Sequence, residues 1–322
     1  MRFGLLSKLV LLLTAAWAVA GAVSLPVRAQ EKPAAKSVTA KILVTVLPTR
    51  DEKPPEIQKE DVIVRVNKER MKVKLWEPAR GEYGDLALFI LIDDVLDPAT
   101  SGLTGDIKDF IKAQAPNTWV GVGYMRNGTV QIAQDLTNDH DKAANAVRLP
   151  LGDLGVSGSP YLSLADLAKR WPPHGGRRAV VMVTDGIDRM YRPLTRMEAM
   201  TPSTYVNSAS SAAQRAGILV YSLYVQALGH ASRNMWLAQG GQSGISQLAE
   251  ETGAEAYMLG YTNPVSFTPW LDGVQKNLNH QYWLSFDTQG GSKPTLKPIN
   301  ITTEVRGVEI ISADNVLIPA AK

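Results

Sequence analysis

An α/β fold, with a doubly wound and mostly parallel sheet flanked at both ends by β segments, is predicted by three features of this chain. Residues 86–92 are an unbroken apolar run that ends in Asp93, Asp94 and Asp97. A second run of the same design, residues 179–183, ends in Thr184-Asp185-Gly186. Between and after them, apolar runs of strand length alternate with stretches of helical period. Short apolar runs without period-2 polarity are strands buried on both faces of a parallel sheet. Repeated β–α alternation then covers both faces with helices. Ligand sites in such sheets lie beyond the carboxyl ends of the strands. Two central strands that each deliver an acid to one edge therefore predict a carboxylate pocket there.

Residues 1–29 read as a secretory leader rather than as part of the fold. Arg2 and Lys8 make a basic start, residues 9–23 are apolar apart from Thr14, and Val27-Arg28-Ala29 fits a small-x-small cleavage site before Gln30. The apolar stretch, about 15 residues, is shorter than the roughly 20 needed to span a bilayer. A cleaved leader is favoured over an anchor helix, which places the mature chain in the periplasm or outside the cell. The sequence has no Cys. Lipid attachment at an N-terminal cysteine and disulfides are both excluded, so the core alone must supply stability.

Residues 30–37 form a short polar linker, and residues 38–80 an N-terminal β segment. Residues 42–47, 62–66 and 71–76 are its strands, residues 48–60 a Pro-containing loop, and Asn67-Lys68-Glu69-Arg70 a hairpin-like turn. About 40 residues with one apolar face per strand cannot stand alone. Residues 84–262 carry the α/β pattern. Leu103, Ile107, Phe110 and Ile111 share a helical face. Strands at 119–124 and 129–135 join through Asn127-Gly128, a strong two-residue hairpin signal. Helices are expected at 141–148, 162–171, 203–216 and 245–252, the last two stopped by Gly217 and Gly253. Strands are expected at 177–184, 218–225 and 254–259, and residues 230–243 read as a long Gly/Gln-rich connection. Residues 263–322 add a helix at 265–278 and strands at 281–286, 299–305 and 308–311. Those strands are expected to pair with the N-terminal ones, so that the α/β domain is inserted between two halves of a small β-sandwich. Two separate β appendages are the other arrangement.

Composition narrows function. Of 322 residues, 45% are apolar and 20% charged, as in ordinary globular protein. The 34 Lys and Arg include Arg2, Lys8 and Arg28 of the leader, which has no acids. The mature chain thus carries 31 basic residues against 31 acidic ones, formally neutral. With no long basic run, nucleic-acid binding has no support. His140, His174, His230 and His280 are too far apart in sequence for a zinc-type pair. Gly155-Val156-Ser157-Gly158-Ser159 lacks the last glycine of a serine-nucleophile elbow, and no Walker-type phosphate loop occurs.

Together the strand and loop at residues 86–97, Val183-Thr184-Asp185-Gly186, Leu248-Ala249-Glu250-Glu251-Thr252-Gly253-Ala254, Trp270-Leu271-Asp272-Gly273-Val274 and Gln281-Tyr282-Trp283-Leu284 resemble von Willebrand factor A domains. The likeness is to the secreted bacterial VWFA-related proteins. It implies a von Willebrand A-like, Rossmann-like domain with a metal-ion-dependent adhesion site. Such a site uses an Asp-x-Ser-x-Ser loop, a Thr on a second loop and an Asp ending the fourth strand. Hydroxyl ligands leave a hard divalent ion enough charge to accept a partner's acidic side chain.

Position by position, Asp93 falls on the first Asp, Val95 on the first Ser, Asp97 on the second Ser, Ser159 near the Thr and Asp185 on the last Asp. Val95 cannot ligate, and Asp97 replaces a neutral ligand by an anion. Like charges about 4 Å apart cost on the order of 4 kcal/mol per pair at an effective dielectric near 20. Either Asp93, Asp97, Ser159 and Asp185 hold one divalent cation, Mg²⁺ or Ca²⁺, or the site is degenerate and Asp93 and Asp185 cap loops.

Residues 186–202 follow Asp185 at the same edge. Arg189, Met190, Tyr191 and Arg192 are of types enriched at interfaces, and Tyr161 lies near the Ser159 loop. They form a candidate partner-binding surface, or else a loop packed on its own domain. The combined reading is a non-enzymatic secreted protein that recognises an extracytoplasmic protein partner through these loops, with no nucleic acid or small-molecule substrate. The alternative is a structural component of an envelope assembly, with the A domain as scaffold. A metal-dependent hydrolase using Asp93 and Asp185 lacks a nucleophile and base.

Overall fold

The structure, a computed structural model, describes residues 37–50, 55–100, 102–152, 158–191, 193–229 and 233–321. The expected leader (residues 1–29), most of the expected linker, Gly155 to Ser157, Arg192 and His230 lie outside them. No helix of the described residues is long and apolar enough to cross a membrane.

Six strands make the central sheet: β5 (Leu86–Asp93), β6 (Thr118–Arg126), β7 (Thr129–Thr137), β8 (Arg177–Thr184), β9 (Ile218–Tyr224) and β10 (Ala256–Tyr257). The order is β10-β9-β8-β5-β6-β7, and every pairing is parallel except β6 with β7. Numbered from β5, that is the doubly wound order 3-2-1-4-5-6 with its third strand reversed. The reversal follows from the two-residue turn at Asn127 and Gly128, both at positive φ.

Successive β5 side chains point to opposite faces, so one strand feeds two cores. Leu86, Leu88, Ile90 and Ile92 pack under α1 (Leu103–Lys112), α2 (His140–Asn145) and a helix at Thr268–Asn279. Phe89 and Leu91 pack under α3 (Pro160–Lys169), α5 (Thr204–Ala216) and α6 (Met235–Thr252). The short α4 (Arg196–Met200) precedes α5, and Thr268–Asn279 is α7.

The flanking segments form two four-stranded sheets. One is β13-β1-β11-β4, from β1 (Ser37–Pro48), β4 (Val73–Pro78), β11 (Gln281–Gln289) and β13 (Val308–Ser312). The other is β14-β12-β2-β3, from β2 (Val62–Val66), β3 (Glu69–Met71), β12 (Thr295–Thr303) and β14 (Asn315–Ile318). Each sheet mixes strands from both ends of the chain. Val44, Val64, Leu284, Phe286 and Ile301 share the core between them. The α/β layers are thus inserted between β4 and β11. Arg177, at the start of β8, ties the parts together. It is buried, and its guanidinium donates to Leu278 O at 2.6 Å, Gln281 Oε1 at 2.9 Å and Gly84 O at 2.8 Å.

Two local expectations are corrected. The single strand expected at 71–76 is two. Met71 pairs with β2, whereas Val73 onward pairs with β11, so the chain changes sheet at Lys72. The long connection expected at 230–243 is largely helix, because α6 starts at Met235, capped by Asn234 Oδ1 on the amides of Trp236 and Leu237. Its glycines are there for close approach. A Cβ at Gly240 would overlap the Ala199 carbonyl, one at Gly241 the Asp185 carbonyl, and one at Gly244 the Tyr161 hydroxyl.

Candidate functional site

The site sits where the winding reverses, between the carboxyl ends of β5 and β8. Asp93 ends β5, and Asp185 follows the last residue of β8. Both are buried, at 4% and 0% exposure. Thr184 ties Asp93 to the loop that follows Asp185: its hydroxyl donates to Asp93 Oδ2 at 2.8 Å and accepts from the Gly186 amide at 3.0 Å. The other oxygen of Asp93 accepts from the Val95 amide at 3.4 Å.

Arg189 occupies the crevice beside Asp185. Its Nη1 donates to Asp185 Oδ1 at 3.1 Å and its Nη2 to Oδ2 at 2.5 Å, a two-point ion pair. Nη1 also reaches Ile187 O at 3.1 Å, and the Arg189 amide donates to Gly158 O at 2.9 Å. The Arg189 side chain is only 15% exposed. The turn that brings it back needs Gly186 at φ +68°, a left-handed conformation that favours glycine. Tyr161 Oη donates to Gly186 O at 2.8 Å and holds the turn from below. Asp188 closes the loop, accepting from the Met190 amide at 3.0 Å and from Ser203 Oγ at 2.5 Å.

These contacts set the electrostatics. Burial, then the Asp185 charge, pushes the Asp93 carboxyl up to about 7, while Arg189, the Thr184 hydroxyl and the Val95 amide pull it down. Burial opposes the Arg189 charge, but Asp185, Asp93 and Asp188 outweigh it and hold the guanidinium above its ordinary range.

The expected site residues divide. Asp93, Val95, Ser159 and Arg189 line one small cleft, with an internal volume of about 10 Å³, on the scale of a single water. Ser159 caps α3, its Oγ accepting from the Leu162 amide at 3.4 Å. Asp97 accepts from the Ala99 amide at 2.8 Å, capping its own turn, and does not line the cleft. Asp94 turns to the other side and forms a two-point pair with Arg148, at 2.7 and 2.9 Å, whose guanidinium lies 3.6 Å over the Tyr124 ring.

A hard divalent ion needs several free oxygen ligands. Val95 supplies none, both oxygens of Asp185 are engaged by Arg189, and the described residues hold no group of three or more His, Asp or Glu side chains arranged for a metal. With Arg189 in place, the donor set Asp93, Asp97, Ser159 and Asp185 does not fit the ion. Two expected partner contacts are also corrected. Tyr161 is 1% exposed, a core residue under the turn, and Arg189 is spent inside the loop. Met190 and Tyr191 do face solvent. Sequence reasoning missed the Asp185–Arg189 pair, although its i,i+4 spacing is visible. For Arg148 with Asp94, 54 residues apart, no local signal exists.

No protein-family model and no curated protein matches the sequence. Solved structures do. BatB from Bacteroides thetaiotaomicron is 16% identical, with 59% of this chain and 96% of that one covered at a TM-score of 0.41. A von Willebrand factor type A protein from Catenulispora acidiphila is 7% identical, with 89% and 74% covered at 0.43. The von Willebrand domain of the type V pilus tip protein Mfa5 from Porphyromonas gingivalis is 8% identical, with 61% and 95% covered at 0.42. On its own strand order, with the reversed third strand and the acids at the switch point, the central domain has the von Willebrand A-like fold.

Proposed function

We propose that this protein recognises a protein partner outside the cytoplasm, through the segments that follow the strand ends of its A-like domain. One observation carries the reading. Among the described residues, every large apolar side chain left exposed, except Tyr83, lies at this edge. Leu149 and Leu151 lie beside the Asp94 loop. Met190, Tyr191, Leu194 and Met197 follow Asp185, and Met235 starts α6. Leu259, Tyr261 and Val265 follow β10. Leu194 is 90% and Val265 98% exposed. Scattered exposed apolar residues need no explanation, but their concentration on one edge marks an interaction surface. A groove of about 520 Å³ runs between Tyr191, Leu194 and Arg196 on one side and Trp236 and Leu237 on the other. Recognition here needs no ion, because the apolar segments are held by Arg189, Asp188 and α6. The leader pattern at residues 1–29 supports export.

The test places a photo-crosslinking residue at 191, 194 or 197, and in the sandwich at 65 or 70, in living cells. The reading expects one discrete adduct from the edge positions and none from the sandwich. A Leu194→Ser, Met197→Ser double variant should lower its yield by about tenfold, the equivalent of about 1.4 kcal/mol, while leaving the melting midpoint unchanged. Adducts from 65 and 70 alone overturn the reading in favour of assembly through the sandwich.

A further inference from the structure

We propose that the guanidinium of Arg189 is the permanent cation of the switch-point site, standing in the place of the divalent ion that would otherwise bridge Asp93 and Asp185. The inference does not rest on what the edge recognises, and it is tested on the protein alone.

Three observations carry it. First, both oxygens of a carboxylate with no exposure at all are taken by one guanidinium, in the fork geometry that Arg alone provides. Second, the place of Arg189 is built by contacts besides the ion pair with Asp185. Its amide is fixed on Gly158 O, its Nη1 also binds Ile187 O, and the Gly186 turn that returns it is pinned by Tyr161. Gly241 of α6 packs against the backbone of Asp185 and Gly186, with no space for even a methyl group between them. Third, the guanidinium lines the same cleft as Asp93, Val95 and Ser159, where the first and second loops of the site meet. Val95 is consistent with this. A side chain without a donor is harmless beside a site whose charge is covalently supplied, whereas beside a bound ion it removes a ligand.

A surface that presents a metal ion can accept a partner carboxylate as an extra ligand. The Arg189 guanidinium, only 15% exposed and already donating to both Asp185 oxygens and to Ile187 O, does not present its charge to a partner in that way. The chemistry left at the edge is apolar, from Met190 and Tyr191 next in sequence, so the contact made here is with apolar rather than acidic side chains.

The experiment compares thermal melts of the leaderless chain (residues 30–322) in EDTA and in millimolar Mg²⁺, Ca²⁺ or Mn²⁺. Four proteins are compared: wild type, Arg189→Met, Asp185→Asn and the double variant. The wild-type midpoint should be the same within a degree in every condition. Arg189→Met should melt several degrees lower in EDTA and recover part of the loss with Mg²⁺ or Mn²⁺. The double variant, with neither charge, should lose less than Arg189→Met and recover nothing. A wild-type gain of several degrees with a cation, abolished by Asp185→Asn, overturns the inference. So does an Arg189→Met protein that melts like wild type or fails to respond to any cation. Should Arg189→Met not fold, Arg189→Lys keeps the charge with fewer donors. It should fold, melt lower and stay insensitive to cations, and a cation response in it also overturns the inference.

Discussion

Replacing Gly241 by Ala should destabilise the protein, against the ordinary behaviour of a helix glycine. In a helix interior, Gly to Ala is worth about 1 kcal/mol in favour of Ala. At Gly241 the new methyl would overlap the Asp185 carbonyl and lie 3.1 Å from Gly186 C and 3.3 Å from Ile187 Cγ1. The obstacle is backbone, so no side chain can swing aside. Overpacking a rigid contact costs about 1–3 kcal/mol, and the upper part of that range applies. The net loss is about 1–2 kcal/mol. At about 2–4 °C per kcal/mol for domains of 150–250 residues, the midpoint drops by several degrees. Gly105 in α1 is the control: a Cβ there meets nothing within 4 Å, so Gly105→Ala should gain about 1 kcal/mol. Urea and thermal melts of both variants read the two signs. A Gly241→Ala protein as stable as wild type, or more so, refutes the idea that α6 is glycine-rich in order to touch the switch-point loop.

Two further outcomes follow from the same geometry. Tyr161→Phe leaves the buried Gly186 carbonyl without its donor and should cost about 1–3 kcal/mol, seen in urea melts; a loss under 0.5 kcal/mol is the contrary result. The folded Asp93 carboxyl, raised to about 7, lies above the ordinary value of about 4. The native state then binds a proton more tightly than the unfolded chain between those values, so stability falls as pH rises from about 4 to 7 and levels off above. Asp93→Asn removes that slope. Its unfolding free energy relative to wild type should climb from pH 5 to about pH 7, by at most about 1.4 kcal/mol per pH unit, and then hold to pH 8; a constant difference across that range contradicts the assignment.

Much of the scaffold was legible because burial leaves a signature in the sequence. The runs ending in Asp93 and in Thr184 are apolar throughout because both their faces are covered, and they are the adjacent central strands β5 and β8. Asn127-Gly128 marks its hairpin because both turn residues need positive φ. The flanking strands, too weak alone, do pair across the whole length of the chain, residue 37 with 289. The rest depends on contacts that local pattern does not carry. The start of α6 looked like a loop because its glycines answer to neighbouring backbone rather than to helix propensity. Tyr161 looked like an interface residue because proximity to the edge does not say which way a ring points. The acids were legible as a pocket, but not their partner. Arg189 reads as a surface cation until the Gly186 turn folds it back onto Asp185.

The most direct test of the central claim is a Mn²⁺ titration of wild-type residues 30–322, followed by the electron paramagnetic resonance signal of free Mn²⁺. With Arg189 as resident cation, the free signal should match buffer alone up to millimolar Mn²⁺. A loss of one equivalent of signal that disappears in Asp185→Asn would mean that the site takes an ion after all, and that Arg189 yields to it.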